Sequence, residues 1–185
     1  EENVDLFIDL HEAELEYTVI NTIVAHQSGN AIAAMASMTL TAEEFDVPIG
    51  MEYSPKSLHG LSHREVGDNT QAVSLLFEVA EPMLDRVRGV TDEELLLQGN
   101  DPFVRRAGEY GLLYSPMPEN GWPIEVRVGR HNSTFLECIK QWSLNNPNKP
   151  IQMAEVPTYD QVKKNGVGYY LNNPDEVSED RIVYE

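Results

Sequence analysis

Three segments of the chain carry hydrophobic patterns that predict β-strands. Residues 4–10 read V-D-L-F-I-D-L, and this near-alternation of apolar and polar positions is typical of a strand whose end delivers His11. Residues 17–25 are rich in β-branched side chains and predict a second strand or extended segment. Residues 72–79 are apolar except for a serine and Glu78, which is typical of a central strand buried on both faces.

Helical signals alternate with these strands. The alanine- and methionine-rich segment 30–40 contains good helix formers throughout and predicts a helix. Three more helices are predicted from their first residues: one opened by the acidic residues of segment 91–94, one capped by Asp101 before Pro102, and one over residues 134–143 capped by Asn132 and Ser133. By contrast, residues 46–67 contain two prolines and three glycines and predict mostly loop.

Strands that alternate with helices predict an α/β fold, with a mixed central sheet flanked by helices. We expect one catalytic α/β domain over residues 1–145. The composition then changes to N-N-P-N-K-P, and residues 146–185 are predicted to form a C-terminal extension. Within it, V-G-Y-Y-L at 167–171 predicts a short strand, and an acidic tail follows at residues 175–180.

Length and charge narrow the choice of function. At 185 residues the chain is long enough for one sizeable core. Its 13 Lys and Arg residues against 31 Asp and Glu residues give a net charge of −18. So acidic a surface repels phosphate backbones and anionic lipids, which argues against a nucleic-acid partner and against a membrane partner. No apolar run approaches the roughly 18 residues that span a bilayer.

The single cysteine and the first residues of the chain bear on location. Cys138 has no partner for an internal disulfide, and no cysteine-rich metal site can form, so a reducing, cytoplasmic setting is expected. The first residues show no signal-peptide pattern. They also lack a methionine, and strand-like sequence begins almost at once, so we expect the chain to be a portion of a longer one.

Two predicted strand ends carry side chains that can do chemistry. His11 follows the strand at 4–10, and Glu78 interrupts the most apolar run in the chain. Because ligands of open α/β sheets bind beyond the carboxyl ends of strands, we expect both side chains to face one crevice. Burying an unpaired carboxylate costs several kcal/mol, so Glu78 needs a catalytic role, a metal, or a cationic partner such as Arg64 or Arg86.

Three segments of the sequence resemble one family. D-L-H-E-A at 9–13, L-L-F-E-V-A-E-P at 75–82 and the intervening S-P-K-S-L-H-G-L-S-H-R-E-V-G-D at 54–68 are similar to segments of the succinylglutamate desuccinylase/aspartoacylase group of zinc hydrolases. The resemblance extends over roughly residues 1–115. The spacing between the first two segments is also similar to that in the family. This resemblance implies a metallocarboxypeptidase-like fold, of which the chain would be the C-terminal portion.

The resemblance also implies a function, that of a zinc-dependent amide hydrolase that deacylates an N-acyl amino acid or a similar small amide. His11 is expected to be one of three zinc ligands, and Glu78 the general base that takes a proton from water. The other two ligands belong to an H-x-x-E motif that precedes D-L-H in the family and is missing from this chain. The chain alone is therefore expected to bind zinc poorly and to be inactive. Asp9 or Glu12 is expected to orient a ligand by a hydrogen bond.

Other interpretations of these residues stay open. His63 and Arg64 lie in the predicted loop, where they could bind substrate and Arg64 could grip a carboxylate, but both also fit an ordinary loop surface. His11 could instead be a hydrogen-bonded histidine at a strand end. For the whole protein, the alternatives are a zinc carboxypeptidase that acts on peptides and a non-catalytic protein that binds a partner. A portion of a longer chain is also expected to expose a surface through which copies self-associate.

Overall fold

The computed structural model describes residues 3–18, 20–42, 49–82, 93–115 and 117–171. Its strands are β1 (Leu6–Glu14), β2 (Thr22–Ala25), β3 (Gly50–Tyr53) and β4 (Val73–Glu81). Its helices are α1 (Asn30–Ala42), α2 (Ser62–Asn69), α3 (Glu93–Gln98), α4 (Pro102–Glu109), α5 (Ile124–Asn145) and α6 (Tyr159–Asn165). Short 3-10 helices cover Gln27–Gly29 and Val167–Tyr170.

The four strands form one mixed sheet in the order β1–β4–β2–β3. β1 runs parallel to β4, whereas β2 runs antiparallel to β4 and parallel to β3. The β1–β4 ladder extends from Leu6 opposite Val73 to Glu14 opposite Glu81. A mixed sheet flanked by helices confirms the predicted α/β class. Since β1 lies at one edge of the described sheet, self-association through this edge stays a prediction.

The main core lies on the face of the sheet that α1 and α5 cover. Leu75 and Phe77 of β4 point to this face, where they pack with Ile23 of β2 and with Trp142 of α5. Because side chains alternate along a strand, the intervening residues of β4 face the opposite side of the sheet. Glu78 is one of them, and α2 packs on this second face against β1 and β4. The second face is where the candidate site lies.

Three sequence predictions are confirmed by these elements. The helix predicted over 30–40 is α1, and the buried strand predicted over 72–79 is β4. Asp101 caps α4, since its side chain accepts a hydrogen bond of 2.7 Å from the Phe103 backbone N–H. Acidic residues also open α3 at Glu93, although the first two residues of the predicted start, 91–92, lie outside the described residues.

The first two strands were predicted with wrong boundaries, at the C-terminal end of β1 and at the N-terminal end of β2. The ladder with β4 continues to Glu14, so His11 lies inside β1 and not at its end. Of the segment predicted as extended over residues 17–25, only the last four residues form a strand. The chain turns sharply just before it, because Asn21 has a positive φ of 53°, which a β-strand does not accommodate.

Three further predictions are corrected. The loop predicted over residues 46–67 is interrupted by two elements, β3, which pairs with β2, and α2, which packs on the sheet. The helix predicted over 134–143 begins earlier, after Pro123, so Asn132 and Ser133 lie in its interior and cap nothing. The strand predicted over 167–171 is a 3-10 helix, which follows a turn at Gly166 with a φ of +79°. The acidic tail lies outside the described residues.

Helix α5 links the sheet to the C-terminal segment. Tyr159 at the start of α6 is buried against it, where Gly129 allows close approach. The predicted division at residue 145 stays a prediction. Although α5 has 22 residues, neither it nor any other described helix combines the length and the apolar character that crossing a membrane requires.

The contact between α2 and His26 yields a stability prediction. A Cβ added at Gly67 would overlap the buried His26 ring, which is held by Ser28 and by Asp68. Overpacking costs about 1–3 kcal/mol, while alanine in a helix regains about 0.5–1 kcal/mol, so we expect Gly67→Ala to lower the free energy of unfolding by about 1–2 kcal/mol. Urea denaturation measures this value. Gly168→Ala is the matched control, because a Cβ there meets nothing within 4 Å; equal effects of the two substitutions would contradict the packing argument.

Candidate active site

His11 and Glu78 are direct neighbours in the sheet. They are register partners in the parallel β1–β4 ladder, and their side chains therefore extend from the same face. Thr22 of β2 is the register partner of Glu78 on its other side. The two residues that were predicted to share a crevice are thus brought together by strand pairing.

Asp9 holds the His11 ring. The Nε2 atom of His11 lies 3.0 Å from Oδ2 of Asp9, and the hydroxyl of Ser62, the first residue of α2, donates a hydrogen bond to the same oxygen. Burial acts to raise the pKa of Asp9, but the hydrogen bonds from Ser62 and His11 outweigh it and hold the pKa below its ordinary value. With Nε2 bound to Asp9, Nδ1 of His11 is the nitrogen left for a ligand.

Glu78 is a carboxylate in an apolar setting. Its Oε2 atom is buried and has no hydrogen-bond partner among the described residues. Burial raises the pKa of Glu78 to about 7, and the nearby His11 ring acts in the opposite direction. A carboxyl group with a pKa near 7 can both accept and return a proton near neutral pH, which is the requirement for a general base.

A cavity of about 310 Å³ opens beside this pair. Most of its wall is apolar and comes from β2, β3, β4 and the segment before α2: Val24, Tyr53, Pro55, Leu58, Leu61 and Leu76. The polar part of the wall consists of His11, Thr18, Glu52, His63 and Glu78. The pair therefore borders a space large enough for a small molecule.

His63 is a buried residue that lines this cavity, and it does not lie on a loop surface. Its side chain is fully buried, and Nε2 lies 2.8 Å from the Ser54 hydroxyl. Burial, and secondarily the charge of Arg64, lower the pKa of His63, which favours the neutral ring. Its Nδ1 atom has no hydrogen-bond partner among the described residues. The loop-surface interpretation is therefore wrong for His63.

Arg64 is buried as well, but its guanidinium group is already bound by other residues of the chain. It is only 4% exposed, and it donates to both carboxylate oxygens of Asp68 at 2.8 and 2.6 Å and to the Ser54 carbonyl at 3.3 Å. Arg64 is not part of the cavity wall. Its charge is paired with Asp68 and not with Glu78. Arg86, the other cation considered for Glu78, lies outside the described residues.

The structure does not bring Glu12 to this cluster. Glu12 neighbours His11 in β1 and therefore extends from the opposite face of the sheet. There its carboxylate forms an ion pair with Arg127 of α5, which is nearly buried and also donates to the carbonyl oxygens of Trp122 and Leu96. Of the two residues expected to orient a ligand, Asp9 contacts His11 and Glu12 does not.

His131 is a neighbour of the site that the sequence analysis missed. Its ring hydrogen-bonds to the backbone of His11, and burial lowers the pKa of His131 to about 4, so that the ring is neutral. Helical spacing could have pointed to His131, which lies one turn after Arg127 in the same helix. That spacing was not used, because the helix was predicted to begin only at residue 134. Glu52 of β3 and Ser62 of α2 were missed because their segment was predicted as loop.

The side chains of this site include the type of ligand that zinc prefers, but there are too few of them for a complete zinc site. An imidazole nitrogen held from behind by a carboxylate is a common zinc ligand, and His11 with Asp9 supplies that arrangement. Among the described residues, no three His, Cys, Asp or Glu side chains lie together closely enough to hold a metal ion. His11 therefore has the chemistry of a single zinc ligand, and its role in a zinc site stays a prediction.

The raised pKa of Glu78 predicts how stability depends on pH. The folded protein keeps a proton on Glu78 up to about pH 7, whereas the unfolded chain releases it near the ordinary value of 4.5, so the fold loses stability as pH rises between these values. Glu78→Gln carries no charge. With metal removed by chelator, we expect the variant to become more stable relative to the wild type between pH 5 and pH 8, as measured by urea denaturation. The exposed Glu109→Gln is the control, and a Glu78→Gln difference that is constant with pH would contradict the prediction.

Strand pairing joins His11 to Glu78, and the fold supplies Asp9 as a support for the histidine. In comparisons with protein-family models, with curated proteins and with solved structures, nothing matches this chain.

Proposed function

We propose that this chain carries the general base and one zinc ligand of a zinc-dependent amide hydrolase with a metallocarboxypeptidase-like fold. The substrate would be an N-acyl amino acid or a similar small amide. The observation that carries the proposal is the half-buried Glu78 carboxyl, with a pKa raised to about 7, next to His11 at the edge of a cavity. Its buried Oε2 atom has no hydrogen-bond partner among the described residues, which is costly, and a catalytic role accounts for that cost.

His11 and Asp9 form the metal-binding part of the proposed site. Asp9 accepts a hydrogen bond from Nε2, fixes the orientation of the ring and leaves Nδ1 as the ligand atom. When bound, zinc supplies a Lewis acid that makes water more acidic and polarises the amide carbonyl. The remaining two ligands are proposed, from the family resemblance, to come from outside residues 1–185.

Glu78 performs the proton transfers in this proposal. It removes a proton from the attacking water molecule and later delivers that proton to the nitrogen of the departing amine. One carboxyl group can do both because its pKa lies near neutrality. The apolar wall contributed by Leu76 and Leu61 excludes bulk water from the carboxyl group and keeps its pKa raised.

We also propose that the protein works in the cytoplasm. Cys138 is buried and free, and burial raises the pKa of its thiol, so it behaves as an inert core residue. A free thiol of this kind suits a reducing compartment.

The test is the metal content and the amidase activity of the complete natural protein. We expect about one zinc ion per chain by elemental analysis and measurable release of amine from N-acyl amino acids. We expect residues 1–185 alone to bind zinc more weakly. If the complete protein bound no metal and hydrolysed no amide or peptide, the fold would instead serve to bind a partner, and the hydrolase proposal would be abandoned.

A further inference from the structure

We propose that the cavity beside Glu78 binds an uncharged, apolar acyl group and discriminates against acyl groups that end in a carboxylate. Only the identification of the bound group as an acyl group rests on the proposed function, in which the cavity would hold the part of the substrate that is released as an acid. The binding preference itself follows from the walls of the cavity. It can therefore be tested separately from catalysis.

The walls of the cavity suit a hydrocarbon chain. Val24 and Leu76 form its floor on the sheet, and Pro55, Leu58 and Leu61 enclose it from the segment that leads into α2. Its volume of about 310 Å³ lies at the lower end of the range for small-molecule pockets. Each methylene group that it removes from water is expected to strengthen binding by about fourfold.

The charges around the cavity oppose an anion. Glu52 lines it, and no lysine or arginine is among the described residues of its wall. The nearby cation, Arg64, is held by both oxygens of Asp68 and has no place in the wall. A second carboxylate brought into this space would lose its hydration, meet like charge and find no cation in return.

An alkyl amide is the minimal ligand for this space, because it joins the apolar chain that the walls suit to the group on which the proposed reaction acts. His63 and Glu78 belong to the wall, but Nδ1 of His63 and Oε2 of Glu78 are themselves buried and have no hydrogen-bond partner among the described residues. The apolar chain is therefore the part of the ligand that the cavity is expected to select.

The experiment compares two amides of equal length, hexanamide and 6-amino-6-oxohexanoate, which differ only in having a terminal methyl or a terminal carboxylate. Their affinities for the wild-type chain are measured by isothermal titration calorimetry at about pH 8. We expect hexanamide to bind at least about tenfold more tightly, because the carboxylate must lose its hydration between apolar walls and beside Glu52, with no cation to replace the lost water. Equal or tighter binding of the carboxylate, or binding of neither amide, would overturn the proposal.

A pair of variants ties the binding to this cavity. Leu61 lies on the cavity wall, is 38% exposed and precedes α2 at its N-cap, where aspartate is well tolerated. We expect Leu61→Asp to weaken hexanamide binding at least about fivefold. Leu112→Asp is the control, because Leu112 is 69% exposed and outside the cavity. Unchanged binding by Leu61→Asp, in a protein that remains folded by circular dichroism, would place the ligand elsewhere and refute the proposal.

Hydrolysis assays separate this proposal from the proposed function. If the complete protein cleaves N-adipoyl amino acids faster than N-hexanoyl amino acids, which have the same number of acyl carbons, it is an amide hydrolase but the cavity proposal is refuted. If hexanamide binds preferentially and no N-acyl amino acid is cleaved, the cavity proposal is supported and the hydrolase proposal fails. Faster cleavage of the N-hexanoyl substrate supports both.

Discussion

Replacing Glu78 with glutamine is expected to lower the kcat/KM of amide hydrolysis by about 10²–10⁴-fold without removing zinc, the range that proton transfer by a positioned side chain contributes. Glutamine has nearly the same shape as glutamate and fits the same half-buried place on β4. It cannot accept a proton from water near neutral pH. Because the metal ligand His11 is untouched, zinc bound per chain should equal that of the wild type. The measurements are steady-state kinetics on N-acyl amino acids and elemental analysis of the complete natural protein.

The control for this experiment is Glu109→Gln at the end of α4. Glu109 is exposed and lies outside the cavity wall. This substitution makes the same chemical change, glutamate to glutamine, but touches no part of the cavity. We expect activity within about threefold of the wild type. Equal losses in the two variants would mean that overall charge matters and not the base, and retained activity in Glu78→Gln would exclude Glu78 as the base.

The pairing of His11 with Glu78 was accessible from the sequence for a physical reason. Each residue is a polar interruption of an apolar strand pattern, and a polar residue in such a place needs a partner or a function. Two parallel strands that are adjacent in the sheet then bring such residues side by side. The strand predicted over 4–10 had the wrong end, but the neighbour relationship depends on register and not on where the strand stops.

The placement of Glu12 was also encoded in the sequence. Side chains alternate along a strand, so a residue next to His11 extends from the other face. Had this period been applied, Asp9 would have been the expected support for His11, and Glu12 would have been assigned to the other side of the sheet. The structure confirms that separation, since Glu12 pairs with Arg127 of α5.

Helix α2 and the start of α5 could not be predicted from local signals. Segment 54–68 has a low apolar content, and α2 begins at Ser62 with no side-chain cap. Its burial depends on distant partners, such as the Ser74 hydroxyl that donates to the His63 carbonyl. In α5 the pair Asn132–Ser133 has the composition of a cap, yet the Ser133 hydroxyl instead accepts a hydrogen bond from the Tyr159 backbone. Such contacts between segments far apart in sequence are invisible to a local pattern.

The largest effect on stability is expected from Arg127→Met, at about 3–5 kcal/mol of lost unfolding free energy. Arg127 is 4% exposed and binds the Glu12 carboxylate together with the carbonyl oxygens of Trp122 and Leu96. Methionine can fill much of the space but donates no hydrogen bond. Glu12 would keep its charge without a partner, and two carbonyl oxygens would lose their donors.

Lys149→Met provides the matched comparison, because it also replaces a cationic residue of an ion pair with methionine, but in a pair that is exposed to solvent. Lys149 and Asp5 are joined at 3.0 Å, but their side chains are 67% and 51% exposed. Water replaces such a contact at little cost, so we expect a change below about 1 kcal/mol. Urea denaturation at one pH compares the two variants with the wild type. Since Glu12 is itself 36% exposed, part of its charge can be rehydrated, and the Arg127→Met loss is expected near the lower end of its range. A loss no larger than that of Lys149→Met would mean that Arg127 does not stabilise the contact between β1 and α5, and that apolar packing alone holds the helix on the sheet.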